Sequence, residues 1–124
     1  MARSKSKARI LIVDDEKSIR SALREVLEFQ DYTVDEAADG MESVVKVKQR
    51  KYDLIILDIK MPKMDGMEAL DRIQIVSPET AIIMISGHGS IDTAVEAVKK
   101  GAFDFISKPP DLNRLLITVR NALD

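Results

Sequence analysis

The chain has 124 residues, enough for one domain of ordinary size, and its 45% hydrophobic and 32% charged residues exclude a disordered chain. A formal net charge of −2 argues against direct nucleic-acid binding, and the lack of cysteine excludes disulfides and thiolate metal sites and is compatible with a reducing cytoplasm. The longest apolar runs are too short to span a bilayer, and the basic start "MARSKSKARI" lacks the apolar core of a secretory signal, because "ILIV" runs straight into Asp14.

Residues 1–6 read as a solvated basic tail, followed by a single unit over 7–124. Five short apolar runs alternate there with five stretches of helical period. The first run is Ala8 to Val13. Ile19, Ala22, Leu23, Val26 and Leu27 then fall on one helix face. "YTVDEA" alternates as a weaker, partly polar strand, which predicts a sheet edge. "DGMESVVKVKQR" follows as a helix with Met41, Val44 and Val45 on one side, and "DLIIL" is the third strand. "DGMEALDRIQIV" is the third helix, stopped by Ser77-Pro78. "AIIMIS" is the fourth strand. Ser90 then stands where an N-cap belongs, ahead of a fourth helix carrying a stripe of Ile91, Ala94, Val95 and Val98. Gly101 sits where that helix should end. The stripe is expected to be mostly core. "FDFIS" is the fifth strand, and the last helix carries Leu112, Leu115, Leu116, Val119 and Leu123.

Strict strand–helix alternation predicts an α/β fold, a parallel sheet with helices on both faces and right-handed crossovers. Ligands of such sheets bind beyond the carboxyl ends of the strands. Strand one ends there in Asp14, Asp15 and Glu16, strand three in Asp58, strand four in Ser86 and Gly87, and strand five in Ser107, Lys108 and Pro109. Each has a plain reading alone: an Asp after a strand commonly caps the next helix, and a lysine is commonly solvated. As a set they demand relief. Two carboxylates about 4 Å apart repel by roughly 4 kcal/mol at a surface-like dielectric. A hard divalent cation with oxygen ligands supplies that relief and leaves positions open for phosphate. An ionised Asp is a nucleophile toward phosphorus, and phosphoryl transfer needs positioning and charge neutralisation above all.

In order, "LIVDDE", "LIILDIKMPKMDG", "IIMISGHG" and "GAFDFISKP" resemble a response-regulator receiver domain of a two-component system, over essentially the whole chain. The resemblance implies a flavodoxin-like (βα)5 fold with sheet order 2-1-3-4-5. It implies that Asp58 is the phosphoacceptor and that Mg2+, or Mn2+ in its place, is held by Asp14, Asp15, Asp58 and the backbone carbonyl of Lys60. Asp15 would bind the metal directly and Asp14 largely through water. It also implies that Ser86 is the switch hydroxyl, that Lys108 binds a phosphoryl oxygen, and that the Lys108–Pro109 bond is cis, aiming the lysine inward. Phe105 stands at the position of an aromatic that swings between outward and inward rotamers; its plain reading is a half-buried strand residue. Lys60 and His88 occupy positions that tune the lifetime of the phosphoryl group, although His88 also reads as a solvated loop residue.

The partners implied are a sensor histidine kinase, an output domain, and a second copy meeting it through the face of the fourth helix, fifth strand and fifth helix. The chain would be a regulatory domain rather than a multiple-turnover enzyme, and cytoplasmic. "SGHGSIDTAVEAVKKGAFDFISKP" is most similar to receivers that precede the ATPase module of sigma-54 activators. Similar wording occurs in receivers with helix-turn-helix outputs, and Pro110 departs from the aromatic common in the first group. The chain reads either as a stand-alone regulator or as one domain of a longer protein.

Three rival readings fit parts of the sequence. A haloacid-dehalogenase-type phosphatase wants an acid two residues after its nucleophile, where this chain has Lys60. A nucleotide- or flavin-binding module wants a glycine-rich loop after strand one, where "VDDEKS" stands. A receiver-like interaction module that works without phosphorylation is expected to have lost an acid or the lysine.

Overall fold

The computed structural model describes residues 8–87 and 91–124. The expectations for the basic tail, His88 and the Ser90 cap lie outside the described residues. The elements run β1 (Arg9–Val13), α1 (Lys17–Phe29), β2 (Thr33–Ala37), α2 (Gly40–Gln49), β3 (Leu54–Asp58), α3 (Gly66–Val76), β4 (Ala81–Ser86), α4 (Ile91–Lys99), β5 (Asp104–Ser107) and α5 (Leu112–Leu123). All strand pairs are parallel, in the order β2-β1-β3-β4-β5. The expected order and alternation hold, with β2 at one edge.

The strands explain the layers. Successive side chains on a strand point to opposite faces. Ile10 and Ile12, Leu54 and Ile56, and Ile83 and Ile85 pack with Leu23 and Leu27 of α1 and Leu115 and Val119 of α5. Leu11 and Val13, Ile55 and Leu57, and Ile82 and Met84 pack with α2, α3 and Ala97 of α4. Both faces of the central strands are therefore covered, and every residue of β3 is buried, Asp58 included.

Two helix faces differ from the periodic reading. On α2 the buried residues are Gly40, Ser43, Val44 and Val47, whereas Met41 and Val45 are about half exposed. Small residues decide this face: a Cβ on Gly40 would stand 2.8 Å from the backbone oxygen of Met64, so the helix is pressed against that loop. On α4 only Ala97 is buried, and Ile91, Val95 and Val98 are 83%, 47% and 51% exposed. The stripe expected to be mostly core lies mostly on the surface, because α4 covers the edge of the sheet where β5 is short and little apolar area remains to receive it. On α1 and α5 the stripes hold at Leu23, Leu27, Leu115 and Val119, while Ala22 and Leu112 are exposed. Phe103 lies outside β5 and is also exposed. Gly101 ends α4 as expected, at φ +113, with Ala102 N bonded back to Ala97 O at 3.0 Å. Among the described residues, no helix is long and apolar enough to cross a membrane.

Candidate functional site

Register assembles the site. Val13 pairs with Leu57, so the next residues, Asp14 and Asp58, stand side by side at the carboxyl rim. Each is only 1% exposed. From the far side of the sheet, Lys108 Nζ reaches 2.8 Å from Asp14 Oδ2, 3.3 Å from Asp58 Oδ2 and 3.3 Å from Glu16 Oε1. The backbone places it: Lys108 N donates to Ser86 O at 2.9 Å, and the Lys108–Pro109 peptide is cis.

The acids of the first strand end are not used up as helix caps. The N-cap of α1 is Glu16, which makes no side-chain capping bond. Asp14 Oδ1 accepts from Glu16 N at 2.8 Å, a tight turn that leaves Asp15 and Glu16 exposed over the rim. Two buried carboxylate oxygens, Asp14 Oδ2 and Asp58 Oδ1, accept no hydrogen bond among the described residues. The ammonium near Asp14 Oδ2 is close enough to pair but poorly aligned to bond. Burial is the main reason that Asp58 is pushed up to about 6; the neighbouring Asp14 charge adds to it, Lys108 opposes it, and Asp15 raises it further. Burial alone would lower Lys108, but Asp14, Asp58 and Glu16 outweigh it and hold the ammonium above its ordinary range.

A cleft of about 360 Å3 opens over this group, lined by Asp15, Glu16, Asp58, Lys60, Gly87 and Lys108. A larger recess of about 550 Å3 lies at the opposite edge, around Ala8, Tyr52, Asp53 and Ala81, where the strands begin. The buried carboxylates without a bond among the described residues are at the carboxyl rim, so the smaller cleft is the candidate site. Carboxylate oxygens of Asp14, Asp15 and Glu16 lie within 4.8 Å of one another. With Asp58 beside them, four acids gather at the rim, and Lys108 pairs with three of them, Asp14, Glu16 and Asp58. This oxygen-rich, under-compensated set fits a hard divalent cation.

The family model described as "Response regulator receiver domain" matches residues 10–120. The chain belongs to the response-regulator receiver family. The family consists of regulatory phosphoacceptor domains of two-component systems. The nitrogen assimilation regulatory protein NtrX of Azorhizobium caulinodans is 43% identical over 117 residues, covering 93% of this chain and 26% of that protein. The chemotaxis protein CheY of Listeria monocytogenes is 41% identical over 115 residues, covering 92% of this chain and 97% of that one. The solution structure of the beryllofluoride-activated NtrC4 receiver domain dimer superposes with a TM-score of 0.88 at 44% identity, covering 93% and 95%. The chain therefore spans about a quarter of the length of NtrX, and its relatives include the receivers of sigma-54 activators.

The receiver's remaining expected residues are placed as follows. Ser86 ends β4, buried, one step beyond Ile85, the register partner of Asp58. Lys60 is exposed on the cleft wall. Gly87 also lines it, and a Cβ there would meet only the Lys108 stem, at 3.7 Å. Phe105 is half-buried against the core and borders a groove with Ala94, Val95 and Val98.

Two contributors were given no role from sequence. Glu16 was visible only as a third acid in "DDE"; its contact with Lys108 bridges the two ends of the chain. Gly66 opens α3 directly beneath Asp58. Its N donates to Ile59 O at 2.7 Å, and a Cβ there would collide with the backbone oxygen of Asp58 and stand 2.7 Å from Ile59 Cα. The "DG" that begins the third helix was the available signal.

Proposed function

We propose that this receiver is a phosphorylation-activated switch in which Asp58 accepts a phosphoryl group from the histidine of a partner sensor kinase, in a Mg2+-dependent reaction. Asp14, Asp15, Asp58 and the Lys60 carbonyl would hold the cation, with Mn2+ able to replace it. The observation that carries this reading is Asp58 Oδ1, a buried carboxylate oxygen without a hydrogen-bond partner among the described residues, at the floor of an acid-lined cleft. When bound, Mg2+ supplies positive charge to the crowded carboxylates and to the phosphoryl oxygens.

An Asp58 oxygen forms a bond to phosphorus as the bond from phosphorus to the donor's imidazole nitrogen breaks. The electron pair stays on that nitrogen, and the product is an acyl phosphate. Lys108, already 3.3 Å from Asp58 Oδ2, pairs with one phosphoryl oxygen, and the Ser86 hydroxyl bonds another. The product adds roughly −1.5 to −2 charge to the rim, by analogy with other phosphorylated side chains. Ser86 moves toward the new oxygens, Phe105 turns into the space left, and the α4-β5-α5 face changes shape. Such a shift needs differential contacts worth a few kcal/mol, within reach of one or two charge-assisted hydrogen bonds. Lys60 and His88 tune phosphoryl lifetime.

The domain spans 7–124 after a basic tail of 1–6, works in the cytoplasm and turns over no substrate repeatedly. Its phosphorylated form meets a second copy through α4-β5-α5, a reading supported by the exposed α4 stripe and the solved NtrC4 receiver dimer. The signal passes to an output domain, of which the sigma-54 activator type best matches the relatives.

The test is incubation with Mg2+ and acetyl phosphate, read by intact mass on the parent and on Asp58→Asn. One retained phosphoryl group in the parent alone is expected. Repeated phosphodonor turnover with no adduct would mark a phosphatase, and no change in either protein would mark an interaction module.

A further inference from the structure

A guanidinium is wired into the acidic turn from behind. Arg20, on α1, has a side chain only 14% exposed. Its Nη1 donates to the backbone oxygen of Asp14 at 2.6 Å, and its Nε donates to Glu36 Oε1 of β2 at 2.9 Å. Glu36 is itself fixed from both sides of the sheet. Its Oε2 accepts from Arg24 Nη1 at 2.7 Å, and its backbone oxygen accepts from Lys46 Nζ of α2 at 2.7 Å. Asp14 N donates to Ala37 O at 3.2 Å. Both backbone polar atoms of Asp14 are thus tied to the end of β2, the N–H directly and the carbonyl through Arg20 and Glu36.

This matters at Asp14 because the residue continues straight into the ligand turn. Its Oδ1 holds Glu16 N, its Oδ2 faces Lys108, and Asp15 lies between. A rotation of the Asp14 peptide would move all three acids. Partners of this kind, which touch the ligands' own chain and not the ion, set metal affinity by holding ligand orientation.

We infer that Arg20 is a positioning residue for the cation site: the Glu36–Arg20–Asp14 chain holds the β1–α1 turn in the geometry that binds Mg2+. The inference rests on the reading of Asp14 and Asp15 as cation ligands. It is separable from simple charge, because the two predict opposite signs. Arg20 is a positive charge near an acidic site, so removing it should tighten a cation by Coulomb's law alone. If Arg20 works by position, removing it loosens the turn and weakens the cation.

The test is calorimetric titration of Mg2+ into the parent, Arg20→Ala and Arg20→Gln at one pH and salt, with thermal denaturation of each metal-free protein. Arg20→Ala is expected to weaken Mg2+ by about tenfold or more. Arg20→Gln, a milder change that cannot span Asp14 and Glu36 together, is expected to weaken it in the same direction and decides the matter if the alanine variant does not fold. Tyr52→Phe loses a hydrogen bond to Asp35, which points to the face of β2 opposite Glu36; it controls for lost stability and should leave affinity within about twofold. Unchanged or tighter Mg2+ binding in the Arg20 variants would overturn the inference. A parent that binds no Mg2+ would instead overturn the cation reading beneath it.

Discussion

Lys108 stands closer to Asp14 than to Asp58, 2.8 Å against 3.3 Å from the facing carboxylate oxygens. The lysine is therefore as much a counter-ion for the first-strand acid as a partner of Asp58. Lys108→Met keeps most of the apolar stem and removes the charge from two buried carboxylates. Breaking a buried pair this way costs about 3 kcal/mol. Urea denaturation in EDTA should show that loss, and Mg2+ should recover much of it by replacing the missing charge.

Asp58 carries a pH signature. Its carboxyl is raised from an ordinary 3.8 to about 6, first by burial and then by Asp14. The folded protein thus holds this proton more tightly than the unfolded chain does. Between about pH 4 and pH 6 the folded state binds more protons at this site, so its contribution to stability falls as pH rises through that window. The total is of order 3 kcal/mol. Asp58→Asn should remove the slope and make the metal-free protein more stable than the parent at pH 7. Paired denaturation curves in EDTA across pH 4 to 7 check it, since all other groups titrate in both proteins.

Gly66 tests how closely Asp58 is supported from below. A methyl group there meets the backbone of Asp58 and Ile59 rather than a side chain that can turn away. Gly66→Ala should lose at least about 2 kcal/mol. By displacing Asp58 it should also slow phosphorylation by acetyl phosphate in the fraction that remains folded. Equal rates in parent and variant would show that the approach leaves the acceptor unaffected.

The surface of α4 should separate stability from assembly. Val95 is 47% exposed and borders the groove beside Phe105. Val95→Ser is expected to change stability by no more than about 0.5 kcal/mol. Sedimentation of the phosphorylated protein should nevertheless show weaker self-association than the parent. An unchanged association constant would remove α4 from the contact.

Lys60, exposed on the cleft wall, should affect how long the phosphoryl group lasts more than how fast it arrives. Phosphorylated Lys60→Ala and His88→Ala, followed by intact mass after donor removal, should decay with half-lives different from the parent. Equal half-lives in all three would refute the assignment.

The amino-acid sequence by itself determined the layered α/β architecture. Alternating apolar runs and helical periods are local, and the all-apolar β3 run could be satisfied only between two helical layers. The placement of the acids at the rim was legible for the same reason: a strand that ends on an acid delivers it to the sheet's carboxyl edge wherever its neighbours lie. Tertiary structure decided everything that depends on who the neighbour is. Periodicity marked Met41, Val45, Val95 and Val98 as inward-facing, but burial needs a partner surface. Close packing at Gly40 and the short edge strand β5 turned those residues outward. Likewise no local pattern could join Glu16 to Lys108, Arg20 to Glu36 and Asp14, or Gly66 to Asp58. Those contacts exist only once five parallel strands bring distant turns to one rim.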